Sequence, residues 1–293
     1  MKTTRMTKLA VLLSLATVAA AADRPQGPAM SQIGKILKSA RPGADQSPSR
    51  PTGRIEDARV ATTGAGFLRT LLPPSSHVIP SPSVVWGNPQ ATAKGFFAAH
   101  AAAFGIRHKN FALVPGRMQS GNGRTSGQFS QLYHETPVAF AAVCWQLNEA
   151  GDVEYVSSDL LTDDAATTVD ALLAVPPAVT AQDAGVIATA AVLENHPDLE
   201  FHAEPPVLAI YEPAIIGNVG PVRLVWRTTV QSTLDASVAE QVLVDAHTAE
   251  VALRFSLVRD AMYRRIYDAH YLPSRLWSTL VRQEGQPLCG IRD

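Results

Sequence analysis

Histidine beside glutamate is the first pair in this sequence that could do chemistry. His134 and Glu135 begin the pattern in which a helix holds zinc through two imidazoles four residues apart, with the glutamate as base. The fifth position is Val138 rather than histidine, and Pro137 would break the helix those ligands require. His134–Glu135 therefore predicts a hairpin turn. The other histidines do not complete a site. His100 lies beside a helical apolar stripe, His196 and His202 flank Pro197 in a connection, His247 falls in a turn and His270 in a C-terminal tail. There is no G-x-S-x-G, phosphate loop or dinucleotide fingerprint. Cys144 and Cys289 have no histidine neighbour, and their separation fits neither a disulfide framework nor a metal spacing. One bridge in an oxidising compartment and two unrelated thiols both stay open. Asp163–Asp164 supplies two carboxylates where a calcium cage needs about six to eight oxygens, and reads as a solvated pair. Trp145 and Trp226 lie in strand-like runs and read as packing residues rather than carbohydrate platforms. Asp245 precedes a turn, where a carboxylate fixes geometry by accepting backbone N–H groups. The expectation is a non-enzyme with no catalytic, cofactor-binding or metal-binding residue.

The elements that hold these residues follow from composition and pattern. The 293 residues, 46% hydrophobic and 17% charged, suffice for about two domains with cores. A net charge of −1 gives no electrostatic basis for binding nucleic acid. At the N-terminus Lys2, Arg5 and Lys8 precede an apolar run from Leu9 to Val18 and then four alanines, the order of a secretory signal peptide. The run is too short to span a bilayer. Residues 1–22 are expected to be this signal, which makes the chain secreted or periplasmic and free of the membrane once it is removed. Residues 23–53, rich in Pro, Ser, Gly and Arg, are expected to be a disordered linker with at most a helical turn near Ile33.

Short extended runs around Val60 and Leu68 predict a hairpin. Asn88–Pro89 opens a helix whose stripe is Phe97, Ala101 and Phe104, stopped by Gly105. Residues 120–127 read as a glycine-rich loop, and residues 128–133, 137–147 and 153–157 as strands. Residues 162–177 read as a linker. Thr180 with Asp183 forms a capping box for a second helix, followed by a strand at 207–211. Strands through Trp226, before Asp245 and after Glu250 complete a second meander, and residues 263–268 read as extended. Helix followed by antiparallel sheet, twice over, is an α+β plan of two small domains.

Phe129, Gln131, Tyr133 and Pro137–Val138, before the turn at 148–153, resemble the fungalysin/thermolysin propeptide (FTP) module. Its pattern runs R-F-x-Q-x-Y-x-G-x-P-V-x-G. Here Gln128 stands for the basic residue, and Glu135 and Phe140 for the two glycines. A glycine at positive φ tolerates substitution poorly, which predicts an altered turn over 134–136. Thr180 through Ala184, Leu224–Val225–Trp226 and Val244 through Thr248 resemble the PepSY module, with Ala249 in place of the glycine of D-A-x-T-G-E-V. Ser256 through Tyr267–Asp268–Ala269 resembles the segment leading to the protease in secreted thermolysin-like zinc metalloprotease precursors.

The resemblance implies an FTP-like domain over 54–170, a PepSY-like domain over 176–262 and a junction tail over 263–293. It implies structural or contact roles for Tyr133, Pro137, Trp226, Asp245, Tyr267 and Asp268. The implied partner is a thermolysin-like metalloprotease, met in trans or lost in cis, which a proregion helps to fold and holds inactive without cofactor or catalytic group. No zinc protease domain is read after residue 287, so the expectation is a stand-alone or truncated proregion. The alternatives are a fragment of a metallopeptidase precursor and a PepSY-type envelope binding module.

Overall fold

A computed structural model describes residues 28–42, 58–74, 77–234, 238–258, 265–267 and 280–283. The expected signal peptide lies outside the described residues. Within the expected linker 23–53, the described residues 28–42 include helix α1 (Pro28–Lys38). Ile33 and Ile36 fall on one face and are buried at 3% and 1% exposure. Burial of each side chain supplies about 1.5–3 kcal/mol, which offsets ordering that the polar composition alone would not sustain. Strand β1 (Arg41–Pro42) pairs with β4 (His77–Val78), on either side of the predicted hairpin of β2 (Arg59–Thr62) and β3 (Leu68–Leu72).

Helix α2 (Pro89–Ala99) starts where its cap predicts: the Asn88 side chain accepts from Ala91 N at 2.9 Å. After His100 the helical path resumes as α3 (Ala101–Phe104) and stops at Gly105, whose φ is 71°. Phe96, Phe97 and Phe104 are buried, with rings meeting edge-on. A long meander follows: β5 (Phe111–Gly121), β6 (Arg124–Tyr133), β7 (Thr136–Asn148) and β8 (Val153–Asp159). The expected loop at 120–127 is instead the tip of the β5–β6 hairpin. Asn122 and Gly123 turn it with φ of 53° and 71°, the signs a type I′ turn needs.

The expected linker 162–177 contains helix α4 (Ala166–Leu173), with Ala166 and Val169 buried. Helix α5 (Ala181–Leu193) has the predicted capping box and buries Ala184, Ala188 and Val192. Strands β9 (Phe201–Ala203), β10 (Val207–Tyr211), β11 (Arg223–Ser232), β12 (Ala239–Asp245) and β13 (Val251–Ser256) build the second meander. Within the expected tail, β14 (Arg265–Tyr267) pairs with β15 (Leu280–Gln283).

The fold is α+β, with five helices among the described residues and a large, mostly antiparallel sheet. The halves are not separate sheets. β10 lies parallel to β7 through Ile210 and Val138, giving one 11-stranded sheet in the order β13-β12-β11-β10-β7-β8-β3-β2, with β6, β5 and β9 branching from it. β7 serves both halves because it kinks. Ser130 of β6 faces Ala142 and Leu132 faces Pro137, so residues 138–141 all pass opposite Gln131. Phe140, at φ 63°, is in the middle of that detour. Two of the core clusters draw on both halves: one joins Tyr133, Val138 and Val169 to Ile210, Leu224 and Ala246, the other joins Ala139 to Ala209, Tyr211, Val225 and Leu243.

Candidate functional site

The alternation of β6 sends Phe129, Gln131 and Tyr133 inward, each at most 1% exposed. Gln131 sits where β7 bends away and its side chain replaces the missing strand neighbour. Its Nε2 donates to Leu161 O at 2.8 Å, and Leu161 N donates to its Oε1 at 2.8 Å. Tyr133 closes the same face onto α4: its hydroxyl donates to Asp170 Oδ1 at 2.8 Å and stacks its ring near His108. Burial, followed by the hydrogen bond to the Asp170 carboxylate, pushes the Tyr133 phenol above its ordinary range. His134 Nε2 lies 3.3 Å from the same Asp170 oxygen, and the Asn110 amide contacts that nitrogen. Asp170, His108 and Asn110 escaped the sequence reading because they come from three separate segments and α4 was not foreseen.

Pro137 is the second residue of β7, opposite Leu132, near a strand end where a missing N–H costs little. Trp226 is partly buried on β11, its Nε1 donating to Val179 O at 2.8 Å while its ring touches both the seam core and the core under α5. Asp245 ends β12 and takes the predicted turn-fixing role. Oδ1 accepts from His247 N at 2.9 Å and Thr248 N at 3.0 Å, and Oδ2 accepts from Arg223 at 3.2 Å. Burial alone would raise this carboxyl, but the two N–H donors and the Arg223 guanidinium outweigh it and hold the pKa below its ordinary value. Tyr133 and Trp226 thus meet in one core cluster, with Asp245 on the strand beside it. Tyr267 lies in β14, apart from them in sequence, and Asp268 is outside the described residues.

The turn expected to be altered over 134–136 keeps the glycine-type backbone. His134 and Glu135 have φ of 46° and 66°, again the signs of a type I′ hairpin, between the paired Tyr133 and Thr136. Phe140 and Ala249, which stand where the FTP and PepSY patterns carry glycine, both have φ of 63°.

Trp145 is a core residue, 2% exposed, and its indole N–H has no partner. It packs over Gly127, the residue opposite it, where an added Cβ would collide with the indole. Asp163 is not a free carboxylate: it accepts from His108 N at 3.0 Å and pairs with Arg107 at 3.3 Å, pinning the end of α3 to α4. Cys144 is exposed, and Cys289 lies outside the described residues. Among the described residues no three His, Cys, Asp or Glu side chains converge as a metal would require, and no helix is long and apolar enough to cross a membrane. The geometry holds elements together and presents sheet edges. β5 and β13 each have a strand neighbour on one side only, among the described residues.

No family model and no curated protein sequence matches this chain. Among solved structures, the Bacillus megaterium YpeB C-terminal domain is similar at a TM-score of 0.32 and 12% identity, covering 79% of this chain and 96% of that one.

Proposed function

We propose that the chain is an exported, non-catalytic, propeptide-type protein that binds a thermolysin-like metalloprotease, inhibiting it and assisting its folding. The observation that carries this reading is the backbone at the three replaced glycines. Five described non-glycine residues have positive φ, and three of them, Glu135, Phe140 and Ala249, stand at the glycine positions of the FTP and PepSY patterns. Positive φ occurs in only a few per cent of non-glycine residues. Its coincidence with those positions in both halves supports the resemblance through backbone geometry, independently of residue identity.

A proregion needs surface, not a nucleophile. The outer edge of β13 offers backbone donors and acceptors to an extended partner segment, and residues 263–293 follow from it. Without a covalent tether the contact lacks the high effective concentration of a precursor, so inhibition in trans is weaker than within one chain. The test titrates a mature thermolysin-like protease with residues 23–293 and with a version ending at Ala261. Inhibition by the longer chain alone supports contact through the tail. Equal inhibition by both moves the contact to the sheet, and inhibition by neither removes the reading.

A further inference from the structure

Outside the seam, several large apolar side chains stand exposed among the described residues, and Trp86 is the bulkiest of them. Trp86 leaves 79% of its surface in water, although tryptophan is highly buried on average. The turn beneath it is rigid. Asn88 N donates to Val85 O at 3.0 Å, which makes Trp86 and Gly87 the central residues of a β-turn. Gly87 has φ of 73°, the sign that a type II turn requires at its second central position. Thr92, 1% exposed on α2, ties the turn down by accepting from Val85 N at 2.8 Å. The indole is therefore held out on a braced support.

Beside it lies a cavity of about 260 Å³ between this turn, the tip of the β5–β6 hairpin and the β7–β8 turn. That volume falls just under the ~300 Å³ at which pockets for drug-sized ligands begin, and suits a single ring. Ser120 and Thr125 bring hydroxyls, 2.9 Å from each other, into its lining, and Asn148 and Glu149 bring an amide and a carboxylate. Asn148 spends its oxygen on Asp152 N, which leaves its NH₂ as the group it can offer a ligand. Arg124, also in the lining, is paired with Glu154 at 2.6 Å, so the site carries no strong positive field. Gly121 and Gly123 keep the hairpin tip free of side chains that would fill the space.

We propose that this cavity binds a neutral sugar ring, with Trp86 stacked on its apolar face and Ser120, Thr125, Asn148 and Glu149 bonding its hydroxyls. An aromatic plane takes the C–H face of a pyranose, and a ring of mostly uncharged donors and acceptors, with one carboxylate, matches its hydroxyl rim. An anionic ligand lacks a counter-charge here, because the one arginine in the lining is already paired. A purely apolar side chain would offer nothing to the Asn148 amide or the Glu149 carboxylate. The site goes beyond the proposed protease contact and does not depend on it.

The test uses the folded chain without residues 1–22. Tryptophan emission and calorimetry follow titration with maltotetraose, cellotetraose and chitotetraose, and with an aromatic tetrapeptide as the competing class. The expected result is saturable binding of at least one sugar. It should weaken about tenfold in Trp86→Ala, mostly return in Trp86→Phe, and weaken about threefold in Glu149→Gln. An unchanged urea midpoint in Trp86→Ala establishes that the variant is folded. No saturable sugar binding at tens of millimolar overturns the proposal, as does sugar binding that survives Trp86→Ala or binding of the peptide alone.

Discussion

At Ala249 the backbone takes a left-handed turn that alanine makes at a cost. The residue is exposed, and its N–H bonds Asp245 O at 3.1 Å, so glycine would keep the turn and remove only the Cβ conflict. Ala249→Gly and Glu135→Gly are each expected to raise stability by about 0.5–1 kcal/mol, after the extra freedom of glycine in the unfolded chain is deducted. Phe140→Gly is expected to do the opposite despite the same φ, because its ring packs against Tyr211 and Phe255. Urea midpoints separate the three; a loss in Ala249→Gly would mean its turn is not strained. Asp245 gives a pH-dependent test. Its folded pKa lies below the unfolded value, so its stabilisation is fully present above about pH 4 and is lost as pH falls through the folded pKa. Asp245→Asn keeps an acceptor for the two N–H groups but loses the Arg223 pair. The stability gap between wild type and this variant should be constant from pH 5 to 7 and shrink below pH 4; a gap that holds in acid would assign the role to shape rather than charge.

The elements that were legible in the sequence are those with a local chemical cause. Asn88, Thr180 and Asp245 announce two helix starts and a turn through their own side chains, and the structure has all three. The missed elements owe their shape to distant partners. Among the described side chains α1 fully buries Ile33 and Ile36, and needs the β3 and α2–α3 surface to do so. α4 carries only a short stripe, Ala166, Val169 and Leu173, and is fixed by Tyr133 of β6 reaching Asp170. β5 is exposed over most of its length and contains Pro115 and Gly116, so neither alternation nor β-propensity marks it. The clearest check on α1 is Ile36→Ala. If this helix completes the core, the loss is about 2–5 kcal/mol. A loss near zero would return the segment to a linker. Trp226→Ala should cost less than the ~3–5 kcal/mol of a fully buried aromatic, since the ring is only partly buried. Trp226→Phe should still cost about 1 kcal/mol, because Val179 O loses its donor.

On the scale of the whole molecule, the repeated helix-and-sheet plan was readable, and the way its halves join was not. The join depends on Phe140 adopting a conformation its residue type disfavours, on Gln131 filling the gap this opens, and on one parallel pairing between Val138 and Ile210. None of these leaves a periodic signal, because each is a contact between segments far apart in sequence. Their consequence is mechanical. A division at residues 162–177 would strip α4 from Tyr133 on one side and expose Ile210, Leu224 and Ala246 on the other. It would also uncover the second shared cluster, in which Ala139 of the first half packs with Val225 and Leu243 of the second. Each half would thus expose apolar surface that the other now covers, and the stability of a domain is small enough for such a loss to be decisive. The chain is therefore expected to unfold as one cooperative unit. Far-UV circular dichroism and tryptophan emission, to which Trp145 in the first half and Trp226 in the second both contribute, should give coincident urea transitions. Residues 28–170 and 176–262 expressed separately should each fail to give a sharp transition. Limited proteolysis should spare 162–177, where Ala166 and Val169 are buried. Two resolved transitions, or a fragment that unfolds cooperatively by itself, would show that the shared sheet is an association of independent domains rather than a common core.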